Sequence, residues 1–172
     1  MSETILTENL IKAIQDDFEI LREVSGHHSI YNKNVRIDLM LKAKSHLQEA
    51  GFTDEWFGVE CKWFDAIHGA TSKVTRMVWQ SITYAQSEFN INGKSLVPSF
   101  VAIYTPGNLP KSIEDHLDKL LNLGLYGNVG RLYFYKDKSW GIKFAYIYAR
   151  SSSDNSYCIK KTQLPARRAG SI

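Results

Sequence analysis

Three residues in two apolar stretches carry groups that chemistry can use. Asp38 closes the "RID" of "VRIDLMLKA" (35–43), and Glu60 and Lys62 bracket Cys61 in "WFGVECKWF" (56–64). Ile37 and Leu39 flank the aspartate, and Val59 and Cys61 flank the glutamate, so these charges sit where a strand would be buried. Side chains alternate along a strand, which puts Glu60 and Lys62 on one face and Cys61 on the other. If the two strands pair, Asp38 and Glu60 converge. Two carboxylates beside one lysine make a hard-oxygen site for a divalent cation; Mg²⁺ is commonly held by one or two carboxylates and keeps several waters. A lysine there can orient or deprotonate an attacking water, or stabilise charge that builds up on a phosphorus centre. Metal-bound water is a usable nucleophile near neutral pH. The competing reading is an exposed ion pair on a solvated sheet face, which contributes little. The apolar flanks and the convergence with Asp38 weigh against it.

The elements that must position these groups follow from the hydrophobic pattern. Residues 7–24 show helical spacing through Leu10, Ile11, Ile14, Phe18 and Leu21, with Thr7 as N-cap and Gly26 as stop. "HHSIYNKN" (27–34) reads as a loop, 35–43 as a strand, 46–55 as a turn or short helical excursion, and 56–64 as the next strand. After a loop over 65–72, residues 73–89 form an amphipathic helix through Val74, Met77, Val78, Ile82, Ala85 and Phe89, broken by Asn92-Gly93. "LVPSFVAIYTP" (96–106) is continuously apolar, as a strand covered on both faces would be. A further helix spans 112–128. Strands at 129–136 and 141–150 form a hairpin across "DKSW". The order predicts a single α/β domain: a central mixed β-sheet of about five strands flanked by helices.

An acid at Asp38 followed by Glu60-Cys61-Lys62 on the next strand resembles the signature of the PD-(D/E)XK nuclease superfamily. Ile37 stands where that signature has proline. The predicted helix after the Glu60 strand adds Gln80 and Tyr84, four apart and therefore on one face. Gln80-Ser81-Ile82-Thr83-Tyr84 is similar to the Q-x-x-x-Y motif of the RecB-like branch, which approaches the active site; the resemblance adds Gln80 to the catalytic candidates and Tyr84 to the nucleic-acid contacts. The resemblance covers residues 10–105 or so. It implies a restriction-endonuclease-like fold, Mg²⁺ (or Mn²⁺) as cofactor held by Asp38 and Glu60, and hydrolysis of phosphodiester bonds in DNA. It also implies an extra acid from the first helix. Asp16, Asp17, Glu19 and Glu23 are the candidates, and Glu19 is favoured because it adjoins the buried stripe at Phe18.

Composition sets wider bounds. The chain has 172 residues, 44% apolar and 23% charged, with net charge +3. That mild excess permits nucleic-acid binding without requiring it. Lys73 and Arg76, at the start of the helix carrying Gln80, are placed to touch a phosphate backbone, as are Arg167 and Arg168 in a short basic tail from about 163. Each is equally at home as a solvated cation. His27-His28 reads as solvated loop, and His68 as a loop residue. Trp56, Trp63 and Trp79 read as core or edge packing. Cys61 and Cys158 make neither a disulfide framework nor a metal knuckle, and no run is apolar enough to span a membrane or lead secretion. The expected setting is the cytoplasm, the expected partner DNA, with a homodimer required for a simultaneous double-strand cut. The compact build suggests a phage or mobile-element protein by fold-level analogy. Two other functions fit the same residues: a nuclease-fold binding module without catalysis, and a nuclease directed at RNA.

Overall fold

A computed structural model describes residues 2–64, 70–107, 109–122, 128–144, 147–151 and 157–161. Among the described residues, four helices and ten strands run in the order α1 (Glu3–Ile14), β1 (Phe18–His28), β2 (Lys33–Ala43), α2 (Ser45–Glu49), β3 (Phe57–Cys61), α3 (Ala70–Ala85), β4 (Glu88–Ile91), β5 (Lys94–Leu96), β6 (Val101–Tyr104), α4 (Lys111–Asn122), β7 (Val129–Phe134), β8 (Trp140–Lys143), β9 (Ile147–Ser151) and β10 (Tyr157–Lys161). The strands form one mixed sheet in the order β10-β9-β8-β7-β6-β3-β2-β1-β4-β5. Its centre, β3-β6-β7, is parallel and the remaining pairs are antiparallel.

The α/β class with a mixed sheet agrees with the sequence pattern, but the sheet has ten strands instead of five. The largest correction lies at the start. The helix expected over 7–24 ends at Ile14, and its second half is β1. Ser2, not Thr7, caps it, accepting the Ile5 N–H at 3.3 Å, and Thr7 lies inside the helix with its hydroxyl on the Glu3 carbonyl. Lys12 ends the helix well, and the Lys44 N–H closes the bend by donating to the Asp17 carbonyl. "FEILREV" satisfies both periods in part. It becomes a strand because β2 is beside it to take up its backbone groups over ten paired positions. The other differences are shorter. The expected 73–89 helix gives up Glu88 and Phe89 to β4, the apolar run 96–106 is split between β5 and β6, and the run 141–150 divides into β8 and β9.

Two cores lie on opposite faces of the sheet. Helices α3 and α4 cover one through Val74, Met77, Ile82 and Leu117, against Ile37, Met40, Val101 and Ile103. Helices α1 and α2 cover the other through Leu10, Ile14 and Leu47, against Leu39, Leu41, Val59, Cys61 and Ala102. Along β2 the faces exchange. Val35 and Ile37 pack with the α3 core, whereas Leu39, Leu41 and Ala43 pack with the α1 core. The change falls at Asp38. It is matched in β1, where Phe18 and Ile20 belong to the α1 side and Val24 to the α3 side. Arg22 opposes Leu39 and Val24 opposes Ile37, so no residue is inserted; Glu23 between them takes a left-handed φ of 49°.

Gly26, expected to stop a helix, lies in β1 where β4 crosses closely. A Cβ there would sit 2.5 Å from the Glu88 carbonyl oxygen and 2.6 Å from the Phe89 ring. The first obstacle is backbone and cannot swing aside. Gly26→Ala is expected to destabilise the protein by roughly 1–3 kcal/mol, read by chemical denaturation; an unchanged midpoint would show that β4 does not pack on β1 this closely.

Candidate functional site

Strand pairing brings the two acids together. Leu39 opposes Val59 in the β2–β3 ladder, so Asp38 and Glu60 come level one position further on. The exchange of faces at Asp38 leaves its carboxylate at the strand edge, where Oδ2 accepts the Cys61 N–H at 2.8 Å. Glu60 is only 4% exposed, and its Oε2 is buried without a hydrogen-bond partner. The two carboxyls lie close enough that each acts on the other's titration. Burial is the main reason that Glu60 is lifted to about 8. The Asp38 charge adds to the rise and Lys62 opposes it. Asp38 is raised as well, first by burial, against the pull of the Cys61 amide.

Lys62 follows the last residue of β3, and its own N–H donates to the Tyr104 carbonyl at 2.9 Å. Its ammonium reaches across the strand end to α1 and contacts the Glu3 carboxylate at 3.2 Å. Glu3 also acts electrostatically on Asp38 and Glu60. The first helix therefore supplies an acid, but that acid is Glu3 and not Glu19. Glu19 is an exposed strand residue opposite Lys42, because the segment carrying it is β1. Its alternative, Glu23, lies level with Asp38 but is mostly exposed, 3.9 Å from Arg36. Glu3 was missed because the helix start was placed at Thr7. The available signal was Ser2-Glu3, a capping residue followed by an acid in the first turn.

Tyr84 is buried on α3, with its ring edge-on to Phe89, and its hydroxyl pKa is raised by burial and then by the charges of Glu60 and Asp38. It is a buried wall of the site and not the exposed nucleic-acid contact expected for it. Gln80 lies one turn earlier and is half-buried. Lys73 and Arg76 are exposed on α3. Arg167, Arg168 and His68 lie outside the described residues. Trp79, expected in the core or at its edge, is 54% exposed. His28, expected in solvent, is buried; its Nδ1 accepts the Tyr31 N–H at 3.1 Å and its Nε2 faces Gln86 Oε1 at 3.3 Å. Cys61 is a free thiol packed in the α1-side core, as its alternation with Glu60 required.

Among the described residues, no three of His, Cys, Asp and Glu are grouped to hold a metal ion. The donor set is Asp38 and Glu60 alone, which suits a cation that keeps much of its water shell. The partnerless Glu60 Oε2 fits such a cation, and a divalent charge would favour the ionised form that burial and the Asp38 charge disfavour. No helix among the described residues is long and apolar enough to cross a membrane. The chain matches no family model, no curated protein and no solved structure.

The raised Glu60 pKa has a thermodynamic consequence. Its folded value lies above the unfolded one, so the folded chain holds a proton that the unfolded chain releases. That contribution to stability is complete below about 4.5 and is lost as pH rises to about 8. In chelator, unfolding free energy is expected to fall across this window with a slope of up to about 1.4 kcal/mol per pH unit. Glu60→Gln should flatten most of it, leaving the smaller slope due to Asp38. Parallel denaturation series at several pH values check this; identical slopes for both proteins would mean that Glu60 is ionised in the fold.

Proposed function

We propose that the chain is a metal-dependent nuclease that hydrolyses phosphodiester bonds in DNA, as the resemblance to the PD-(D/E)XK superfamily suggests. The observation that carries this reading is the buried Glu60 paired with the half-buried Asp38 beside Lys62, at the carboxyl end of a central parallel strand. A paired buried acid also occurs as a structural element, but such a pair has its polar atoms satisfied. Here one carboxylate oxygen is left over and a lysine stands beside it.

Asp38 and Glu60 would hold Mg²⁺ or Mn²⁺, which supplies charge neutralisation at the phosphate and acidifies a bound water. The chain's own groups have separable tasks. The Cys61 N–H fixes one Asp38 oxygen, leaving the other for the ion. Glu3 holds the Lys62 ammonium at the mouth of the site, where it can hydrogen-bond the attacking water or the charge that builds up on the phosphoryl oxygens. The α3 wall, with Tyr84, keeps bulk water from the Glu60 side and strengthens these interactions.

Asp38→Asn, Glu60→Gln and Lys62→Met are each expected to lower Mg²⁺-dependent cleavage at least about hundredfold while the protein remains folded by circular dichroism. Glu3→Gln should cost less, because it positions Lys62 without touching the phosphate. Supercoiled plasmid and matched single- and double-stranded DNA and RNA oligonucleotides serve as substrates. Absence of cleavage of every DNA substrate with either metal would overturn the proposal, and cleavage of RNA alone would redirect it.

A further inference from the structure

A second concave site lies on the same edge of the sheet. It is a cavity of about 380 Å³ at the carboxyl ends of β6 and β7, roofed by α4, and within the usual range for a small-molecule pocket. One row of the sheet connects it to the carboxylate pair: Glu60 lies beside Ile103, Ile103 beside Arg131, and Arg131 beside Lys143. Two strand spacings, ~10 Å, separate the backbones of Glu60 and Arg131. Substrate held in the cavity would therefore be a near neighbour of the phosphate at Asp38 and Glu60.

The lining is both aromatic and charged. Tyr104, Tyr133, Phe134 and Phe144 line the cavity. Arg131 is largely buried, with Nη1 2.5 Å from Glu114 Oε1 and 3.6 Å from Asp118 Oδ1, and Nη2 3.5 Å from the Thr105 hydroxyl. Its Nε is buried without a partner. Glu114 and Asp118 are four apart on α4 and present their carboxylates from one face.

The charges decide which part of a nucleic acid belongs here. Two carboxylates oppose Arg131 and the exposed Lys143, so the four groups sum to zero and a phosphate would meet repulsion as well as attraction. A flat heterocycle meets none. Aromatic side chains stack on bases of any sequence, carboxylates accept hydrogen bonds from exocyclic amino groups, and a guanidinium donates to ring nitrogens and carbonyls. We propose that this cavity binds a single unstacked nucleobase carrying an exocyclic amino group, from the strand whose phosphodiester lies at Asp38 and Glu60. The proposal rests on the nuclease reading for its setting and names the substrate as a single strand or a frayed end, because a base paired and stacked in a duplex cannot reach between the cavity's aromatic side chains.

The test separates this claim from the nuclease reading by leaving metal and cleavage out. Full-length protein in chelator is titrated by calorimetry with dGMP, dAMP, dCMP and dTMP. At least one amino-bearing nucleotide is expected to bind about tenfold more tightly than dTMP, which lacks that group. Asp118→Asn, at a half-exposed position that tolerates the change, should reduce the preference, and Arg131→Met should abolish binding. Asp38→Asn should leave it intact. Failure of all four nucleotides to bind, equal binding of all four, or binding unaffected by both pocket variants would overturn the proposal even if the protein cuts DNA. Selective binding by a protein that cuts nothing would sustain the pocket and remove the nuclease.

Discussion

The hydrogen bond from the Cys61 amide to Asp38 is the constraint on which the site depends. It requires β2 and β3 to be neighbours and Asp38 to lie at the level where β2 changes faces. An aspartate in a β2 that kept the alternation of Leu39–Leu41 would point into the α3 core on the side of Met40 and Met77, and would face a large desolvation cost. The exchange of faces places it at the strand edge instead. There a backbone donor satisfies one oxygen. The left-handed Glu23 in the adjacent strand is the local strain that accompanies this arrangement.

From that bond the rest of the site follows in order. Glu60 must lie on the α3 side and Cys61 on the α1 side, so the thiol becomes core while the carboxyl stays near a helix face. The strand ends one residue later, which frees Lys62 from alternation and lets it turn toward Glu3 on the opposite layer. The groups of the site thus come from three layers of the fold: Glu3 from the α1 side, Asp38 and Glu60 from the sheet, and the neutral Tyr84 wall from the α3 side. The parallel centre of the sheet collects the carboxyl ends of β3, β6 and β7 on one edge, where open α/β sheets present their ligand sites. The catalytic candidates and the aromatic cavity share that edge for this reason.

Much of this was legible in the chain. Asp38, Glu60 and Lys62 stood out because charges in apolar strands are costly and call for a reason. The helix carrying Gln80 and Tyr84 was visible from its long amphipathic period. What could not be read locally was the fate of 15–28. Phe18, Ile20, Leu21 and Val24 suit a helix and a strand almost equally, and the partner strand decides between them. That one ambiguity displaced the first-helix acid from Glu3 to Glu19 and hid the strands β1, β4 and β5, since β4 pairs on β1. The cavity was invisible for a different reason. Arg131, Glu114 and Asp118 come from a strand and a helix whose contact no spacing in the sequence encodes.

The most direct test of the central claim is the position of a bound cation. Crystals grown with Mn²⁺ and measured at a wavelength with strong manganese anomalous scattering would show it. The account expects one peak between the Asp38 and Glu60 carboxylates, lost in crystals of Glu60→Gln. A well-ordered Asp38–Glu60 pair with no peak beside it, at Mn²⁺ concentrations that saturate any cleavage observed, would contradict it.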